Sequence, residues 1–258
     1  MTMILPRRRF LTGLAASAAT VSLGGCDQVV QNDSVRRVLR TAERLTMTTQ
    51  RALLSQDALA REFSEADISP VFRANGTSMP TGEAYAELVD TQFRNWRLVI
   101  DGLVAKPLSL SLADLKALPA RTQITRHDCV EGWSAIGKWA GVPLGLLLQS
   151  AGLAPNARYA LFHCADEMEK TSDGSGQYYE SIDLIDALHP QTILAYRLNG
   201  QDLPVANGAP LRLRVERQLG YKQAKYITRI EVIDSFATRA RGKGGYWEDR
   251  GYEWYAGI

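Results

Sequence analysis

Cysteine and histidine are scarce, with three of each in 258 residues. Three cysteines cannot build the framework of a disulfide-stapled scaffold. His127, His163 and His189 fall at no spacing that a protein-only zinc site uses. No uncharged apolar run reaches the roughly 20 residues that cross a bilayer; the stretch from Leu11 to Gly25 stops short of it. A basic surplus is lacking as well. The formal charge of +2 comes from 30 Lys and Arg against 28 Asp and Glu, but Arg7, Arg8 and Arg9 all precede the first acid, Asp27. Without them, residues 26–258 carry 27 bases against 28 acids. A nucleic-acid binder needs more positive charge than that for its phosphate contacts. What is there, 45% hydrophobic and 22% charged residues, is the composition of a folded globular chain.

The N-terminus has the layout of an export signal. Residues 6–12 are cationic, and Leu14 to Gly25 is apolar and rich in small residues, the order found in secretory signal peptides. Arg7-Arg8 with Phe10 and Leu11 resembles a twin-arginine signal. Leu23-Gly24-Gly25-Cys26 resembles a lipoprotein signal, in which Cys26 is lipidated and becomes the mature N-terminus; Asp27 resembles an inner-membrane retention signal. The expectation is a periplasmic protein tethered to the inner membrane by acyl chains on Cys26, with no other membrane contact. Export of an already folded chain suits a protein that receives a cofactor first.

The sequence divides into a signal at 1–25, a polar, partly helical segment at 26–63 and a domain at 64–258. Val35, Val38, Leu39, Ala42 and Leu45 recur at helical spacing. Beyond them the pattern turns to sheet. Trp96 to Asp101 alternates up to Gly102 and predicts a strand. Ser111 caps a short helix that Pro119 ends, with Asp114 completing a capping box. Arg121 to Val130 predicts a strand, Pro143 to Ala151 a helix closed by Gly152, and Tyr159 to Ala165 another strand. Ile182 to Leu188 predicts a short helix. Asn199-Gly200 joins strands at Ile193–Leu198 and Gln201–Val205 as a hairpin; Leu211–Val215 and Tyr226–Ile233 complete the set. The fold class is α+β, mixed sheets with short helices.

Cys129 stands at a strand end, in Arg126-His-Asp-Cys-Val-Glu-Gly-Trp-Ser134, where Gly132 supplies a turn and Arg126 is placed to lower the thiol's pKa. Cys164 lies inside an apolar strand and reads as core, as does His163. A Cys129–Cys164 disulfide is the bland alternative in an oxidising compartment, disfavoured by their unlike surroundings. Arg212, Lys222 and Lys225 gather around the loop starting at Gly220. Such a loop can cradle a phosphate, or be a solvated basic face.

These segments together resemble the molybdopterin-binding domain of the sulfite oxidase family, from about Val71 to Tyr252. The block Cys129-Val-Glu-Gly-Trp-Ser, followed by Trp139 and Gly141-Val-Pro-Leu, resembles the segment whose cysteine thiolate binds molybdenum. The resemblance implies that Cys129 is the metal ligand and a catalytic residue. Phe72-Arg-Ala-Asn-Gly resembles the family's pterin loop, making Arg73 and Asn75 cofactor contacts. Asn207-Gly-Ala-Pro-Leu-Arg212 and Gly220-Tyr-Lys-Gln-Ala-Lys225 carry Asn207, Arg212, Lys222, Gln223 and Lys225 to the same role, and Asp166 falls near a family acid. Trp247-Glu-Asp-Arg-Gly-Tyr252 resembles a segment whose tyrosine faces the metal. Ser134 stands where animal and plant sulfite oxidases have a sulfite-binding arginine. The wording of the cysteine block is closer to bacterial periplasmic members.

The resemblance implies a molybdenum–molybdopterin oxidoreductase that moves an oxygen atom on a small oxyanion or an S- or N-oxide. A soft thiolate suits that metal. Lacking a second redox centre, the chain is expected to exchange electrons with a membrane or c-type cytochrome, and to be a monomer. Two other classes stay open: a cofactor-binding or scaffold lipoprotein that keeps the fold without turnover, and a metal-free thiol enzyme at Cys129.

Overall fold

In the computed structural model, which describes residues 33–258, Leu98 and Ile100 are fully buried on the inward face of β1 (Arg97–Gly102). β1 pairs antiparallel with β2 (Leu108–Ser111) and parallel with β10 (Ile227–Ile233). β10 continues antiparallel to β5 (Tyr159–Glu167), and β5 to β6 (Gln177–Asp183). The first sheet therefore runs β2-β1-β10-β5-β6. Its register lines up Ile100, Ile230 and Phe162, all fully buried, into one apolar row.

The second sheet runs β3 (Arg121–Asp128), β4 (Ser134–Pro143), β7 (Ile193–Leu198) and β8 (Gln201–Asp202), with β9 (Arg212–Arg214) also on β7. Short helices fill the joins. A helix, α1, covers Asp33–Leu53, and α2 covers Glu83–Asp90. α3 (Leu112–Ala117) starts on the capping box read from sequence: Asp114 N–H donates to Ser111 Oγ, and Ser111 N–H to Asp114 Oδ2. α4 (Leu144–Ala151) buries Leu144, Leu147 and Leu148 in the main core and ends at Gly152, φ +72°. α5 covers Leu184–Ala187. Residues 51–258 form one unit, within which the site described below lies entirely.

Several boundaries differ from expectation, each for a local reason. The strand from Arg121 stops at Asp128, because Cys129 already starts the turn into β4. β4 itself and β6 are additional strands; Ile182 lies in β6, and the helix expected from that point begins only at Leu184, capped by Asp183. The hairpin at Asn199-Gly200 forms with φ of +51° and +81°, the left-handed pair a tight turn needs, but β8 ends at Asp202. Leu203 then turns inward to join Trp139, Ile193 and Leu198 in a small second core. Among the described residues no helix is long and apolar enough to cross a membrane. The export segment and Cys26 lie outside the described residues.

Candidate active site

Cys129 sits at the tip of the β3–β4 hairpin. The last strand pair is Asp128 with Ser134. Cys129 N–H donates to Trp133 O at 2.9 Å, Gly132 N–H donates to Cys129 O at 3.0 Å, and Gly132 takes φ +83°. Both strands thus fix the thiol's position. Asp128 is held by Arg126 Nε at 2.9 Å and by Ser134 Oγ at 2.5 Å. Arg126 is therefore spent on Asp128, and the cation that favours the thiolate is Arg73, whose guanidinium lies 5.5 Å from the Trp133 ring centre. Burial pushes the thiol up from its ordinary value, against backbone N–H groups of Glu131 and Val130. Cys129 and Cys164 are both free, Cys164 being buried in the core. His163 is not core: it is partly exposed and hydrogen-bonded to Glu231 at 3.1 Å.

The half-buried thiol opens into a cavity of about 110 Å³. One wall is the loop Asn75, Gly76 and Thr77; another is Val130 and Glu131 beside the thiol itself. Asp166 lies near the end of β5 and Met168 just follows it, and Gln223 and Lys225 come from the loop before β10. Tyr178, Tyr221, Trp247 and Tyr252 make the aromatic side. Tyr252 stacks on Trp247 at 5.3 Å between ring centres and is 41% exposed.

Buried charge concentrates around Lys225. Its ammonium donates to Ala206 O at 3.1 Å and to Thr77 O, and burial together with Arg212 brings its pKa down to about 7. Arg212 is fully buried; burial and neighbouring Arg214 lower it to about 9. Its Nη1 donates to Asn207 O at 2.9 Å. Arg214 is neutralised by Glu216 at 2.6 Å and donates to His127 Nδ1 at 3.1 Å. Arginine can only donate, so in this shorter contact Nδ1 accepts and the neutral imidazole carries its proton on Nε2, which leaves Gln223 Oε1, 3.3 Å from the same nitrogen, without a donor there. Burial pushes the Asp166 carboxyl up, against a 2.6 Å hydrogen bond from Thr77.

A group of donors is left over. Among the described residues, Arg212 Nε and Nη2, Asn207 Nδ2 and His127 Nε2 are buried without a hydrogen-bond partner, as are the acceptors Asn75 Oδ1 and Asp166 Oδ1. Unsatisfied buried groups on this scale mark a place built for a polar ligand. Cationic donors suit a phosphate, and the two acceptors suit the N–H edge of a pterin. Gly208 keeps that place open, since a Cβ there would lie 2.9 Å from the Lys225 side chain. The residues therefore fit an anionic pterin cofactor.

The profile of the oxidoreductase molybdopterin binding domain matches residues 85–240. The chain belongs to the sulfite oxidase family of molybdopterin-binding oxidoreductases. Over 251 residues it is 39% identical to the "Putative protein-methionine-sulfoxide reductase subunit YedZ1" of Azospira oryzae, covering 97% of this chain and 87% of that protein. It is 32% identical over 248 residues to the "Protein-methionine-sulfoxide reductase catalytic subunit MsrP" of Xanthomonas campestris, covering 90% and 72%. A chain of the sulfane dehydrogenase SoxCD from Paracoccus pantotrophus matches at 26% identity and a TM-score of 0.49, over 55% of this chain and 39% of that one.

Within this molybdopterin-binding domain the expected residues take four kinds of place. Asn75, Cys129, Asp166, Gln223, Lys225 and Tyr252 line the cavity together. Asn207 and Arg212 lie beside Lys225 with donors to spare, while Arg73 is exposed over Trp133. Lys222 departs from the pattern: its side chain is fully buried with Nζ at 2.5 Å from both Glu180 and Glu248, not turned into the cavity. Burial works against that ammonium, but the two carboxylates raise it above its ordinary value; burial and then Glu248 push the Glu180 carboxyl well upward. Thr77, Glu131, Met168, Tyr178, Tyr221 and Trp247 also line the cavity and were not picked out from sequence. Thr77 lies two residues past Asn75, a signal that could have found it; Tyr178 lay in a strand whose pattern was missed.

Proposed function

We propose that this chain is a molybdenum-dependent reductase of S-oxides, with methionine sulfoxide in proteins as its substrate class. The observation that carries the reading is the single thiol, held rigidly by a hairpin tip, at the mouth of a cavity backed by unpaired cationic donors. Among the described residues no group of three or more His, Cys, Asp or Glu could hold a metal by itself; a metal held by Cys129 would need the pterin for further ligands. Molybdopterin, when bound, supplies the two-electron chemistry that takes an oxygen atom from sulfur. The balance is R₂S=O + 2e⁻ + 2H⁺ → R₂S + H₂O, with electrons from a separate cytochrome.

The chain's own residues support a neutral substrate over an oxyanion. Glu131 places a carboxylate in the cavity wall, accepting from Trp133 Nε1 at 3.0 Å. The hydroxyl of Ser134 is committed to Asp128. An incoming sulfite would meet the carboxylate of Glu131 and find no arginine at 134, whereas a sulfoxide fits against Met168, Trp247 and Tyr252. Tyr252 is placed to donate a hydrogen bond to the sulfoxide oxygen. The names of the relatives point to the same substrate class. The raised Cys129 thiol argues against a metal-free thiol enzyme, which needs a thiolate near neutral pH.

The test is reduced-dye oxidation by protein loaded with cofactor, with peptide methionine sulfoxide set against sulfite and an oxidised dye. Faster turnover of sulfite would overturn the reading, and no turnover of any substrate by fully loaded protein would favour a scaffold. We also propose that the chain works in the periplasm on a lipid at Cys26. A fatty-acid label should enter the wild type and not Cys26→Ser; equal labelling would refute it.

A further inference from the structure

The lysine whose side chain turns away from the cavity has a role of its own. We propose that Lys222 is a positioning residue, whose ammonium ties the Trp247–Tyr252 side of the cavity to β6 through Glu248 and Glu180. Lys222, Glu180 and Glu248 are each buried, and Nζ lies 2.5 Å from one oxygen of each carboxylate. Each member has a neighbour in the cavity wall: Tyr221 precedes Lys222, Trp247 precedes Glu248, and Tyr178 lies two residues before Glu180 on the same strand face.

The far side of this ion cluster is the segment that carries Tyr252. Tyr252 N–H donates to Trp247 O at 3.0 Å, and Tyr221 Oη donates to Glu253 O at 2.7 Å. Gly245 makes room for the cluster, since a Cβ there would lie 2.0 Å from Glu248 Oε2. Buried like charges repel strongly when nothing screens them. Removing the ammonium therefore takes away both ion pairs and leaves two buried carboxyls to share a proton in its place, which loosens the hold of the 245–254 segment on β6 and of Trp247 and Tyr252 with it. Other contacts hold that segment at its edges, such as Tyr246 N–H to Tyr179 O at 3.0 Å and Tyr179 Oη to Asp249 at 2.6 Å. The loop that presents Tyr221 and Gln223 meets this segment through Tyr221 Oη on Glu253 O and through the Tyr221 ring, edge-on to that of Tyr252 at 5.1 Å between centres; Lys222 adds to these the ion pairs that carry the tie on to β6.

The proposal rests on the reading of this cavity as the reaction site in its kinetic arm only. Cofactor-loaded wild type, Lys222→Met, Lys222→Arg and Glu248→Gln are compared by amide hydrogen exchange, by molybdenum and pterin content, and by kinetics on a methionine sulfoxide peptide. Lys222→Met is expected to speed exchange across 245–254 by about tenfold or more, with Lys222→Arg restoring protection. Cofactor content is expected to stay at the wild-type level while kcat/KM falls about tenfold. If Lys222→Met does not fold, the isosteric Glu248→Gln decides on the same exchange readout. Unchanged exchange across 245–254 overturns the proposal, and cofactor loss with that exchange unchanged would make Lys222 a cofactor ligand instead. Absent turnover in the wild type sinks the functional reading while the exchange arm still judges this one.

Discussion

Gly220 lies against the imidazole of His127 so closely that a Cβ there would sit 2.5 Å from both Cε1 and Nε2. His127 cannot retreat, because Phe72 and Trp133 pack on its ring at 5.7 and 5.4 Å between centres and Arg214 holds Nδ1. Gly220→Ala is expected to destabilise the fold by about 1–3 kcal/mol, the usual cost of overpacking, and to shift Gln223 out of the cavity. Chemical denaturation and pterin content check it; wild-type values for both would show that the loop yields freely.

Cys129→Ala removes the thiol and little else, since the turn is held by backbone hydrogen bonds. Molybdenum content is expected to fall about tenfold or more, while stability changes by less than about 1 kcal/mol, as for a half-buried side chain. Elemental analysis beside a denaturation curve decides the matter. Full metal content in the variant would remove the thiol from its assigned place.

Glu131→Gln takes one negative charge from the cavity wall. Inhibition by sulfite or another small oxyanion is expected to tighten several-fold at low ionic strength, from about 1 kcal/mol of relieved repulsion near the surface, and to lose that advantage in high salt. An inhibition constant equal to that of the wild type at low salt counts against an electrostatic role.

Lys225 gives the cofactor-free protein a distinctive pH dependence. Its folded pKa of about 7 lies below the ordinary 10.5. Between those values the unfolded chain holds a proton that the folded chain does not, so stability rises with pH across that window, by up to about 1.4 kcal/mol per pH unit. Below pH 7 both states are protonated and this contribution is flat. A bound phosphate would keep the ammonium charged and remove the slope. Urea midpoints at pH 6, 7.5 and 9 are expected to show it in the cofactor-free wild type and not in Lys225→Met; an identical slope in both would assign it to other groups.

What the sequence made legible follows from how local each signal is. The Asn199-Gly200 turn and the Ser111–Asp114 capping box are settled by residues within one turn of each other, and both form as read. The place of Cys129 at a strand end was likewise legible from Gly132, three residues on. β4 was missed because Gly137 and Gly141 leave two of its buried positions without a side chain; Gly141 is there since a Cβ would collide with Leu194 O on β7 at 2.1 Å, a constraint known only once the partner strand is. The partners of Lys222 were hidden for a similar reason. Nothing near it in the chain announces Glu180 and Glu248, which arrive from a distant strand and from near the C-terminus.

The tie between Ser134 and Asp128 has a consequence for anyone retooling this enzyme toward sulfite. An arginine installed at 134 would find Asp128 at the opposite position of the strand pair, already collecting cations through Arg126. The carboxylate would capture the new guanidinium before any substrate could. A single exchange there is therefore expected to yield another surface ion pair, and a working anion grip would need Asp128 replaced in the same gene.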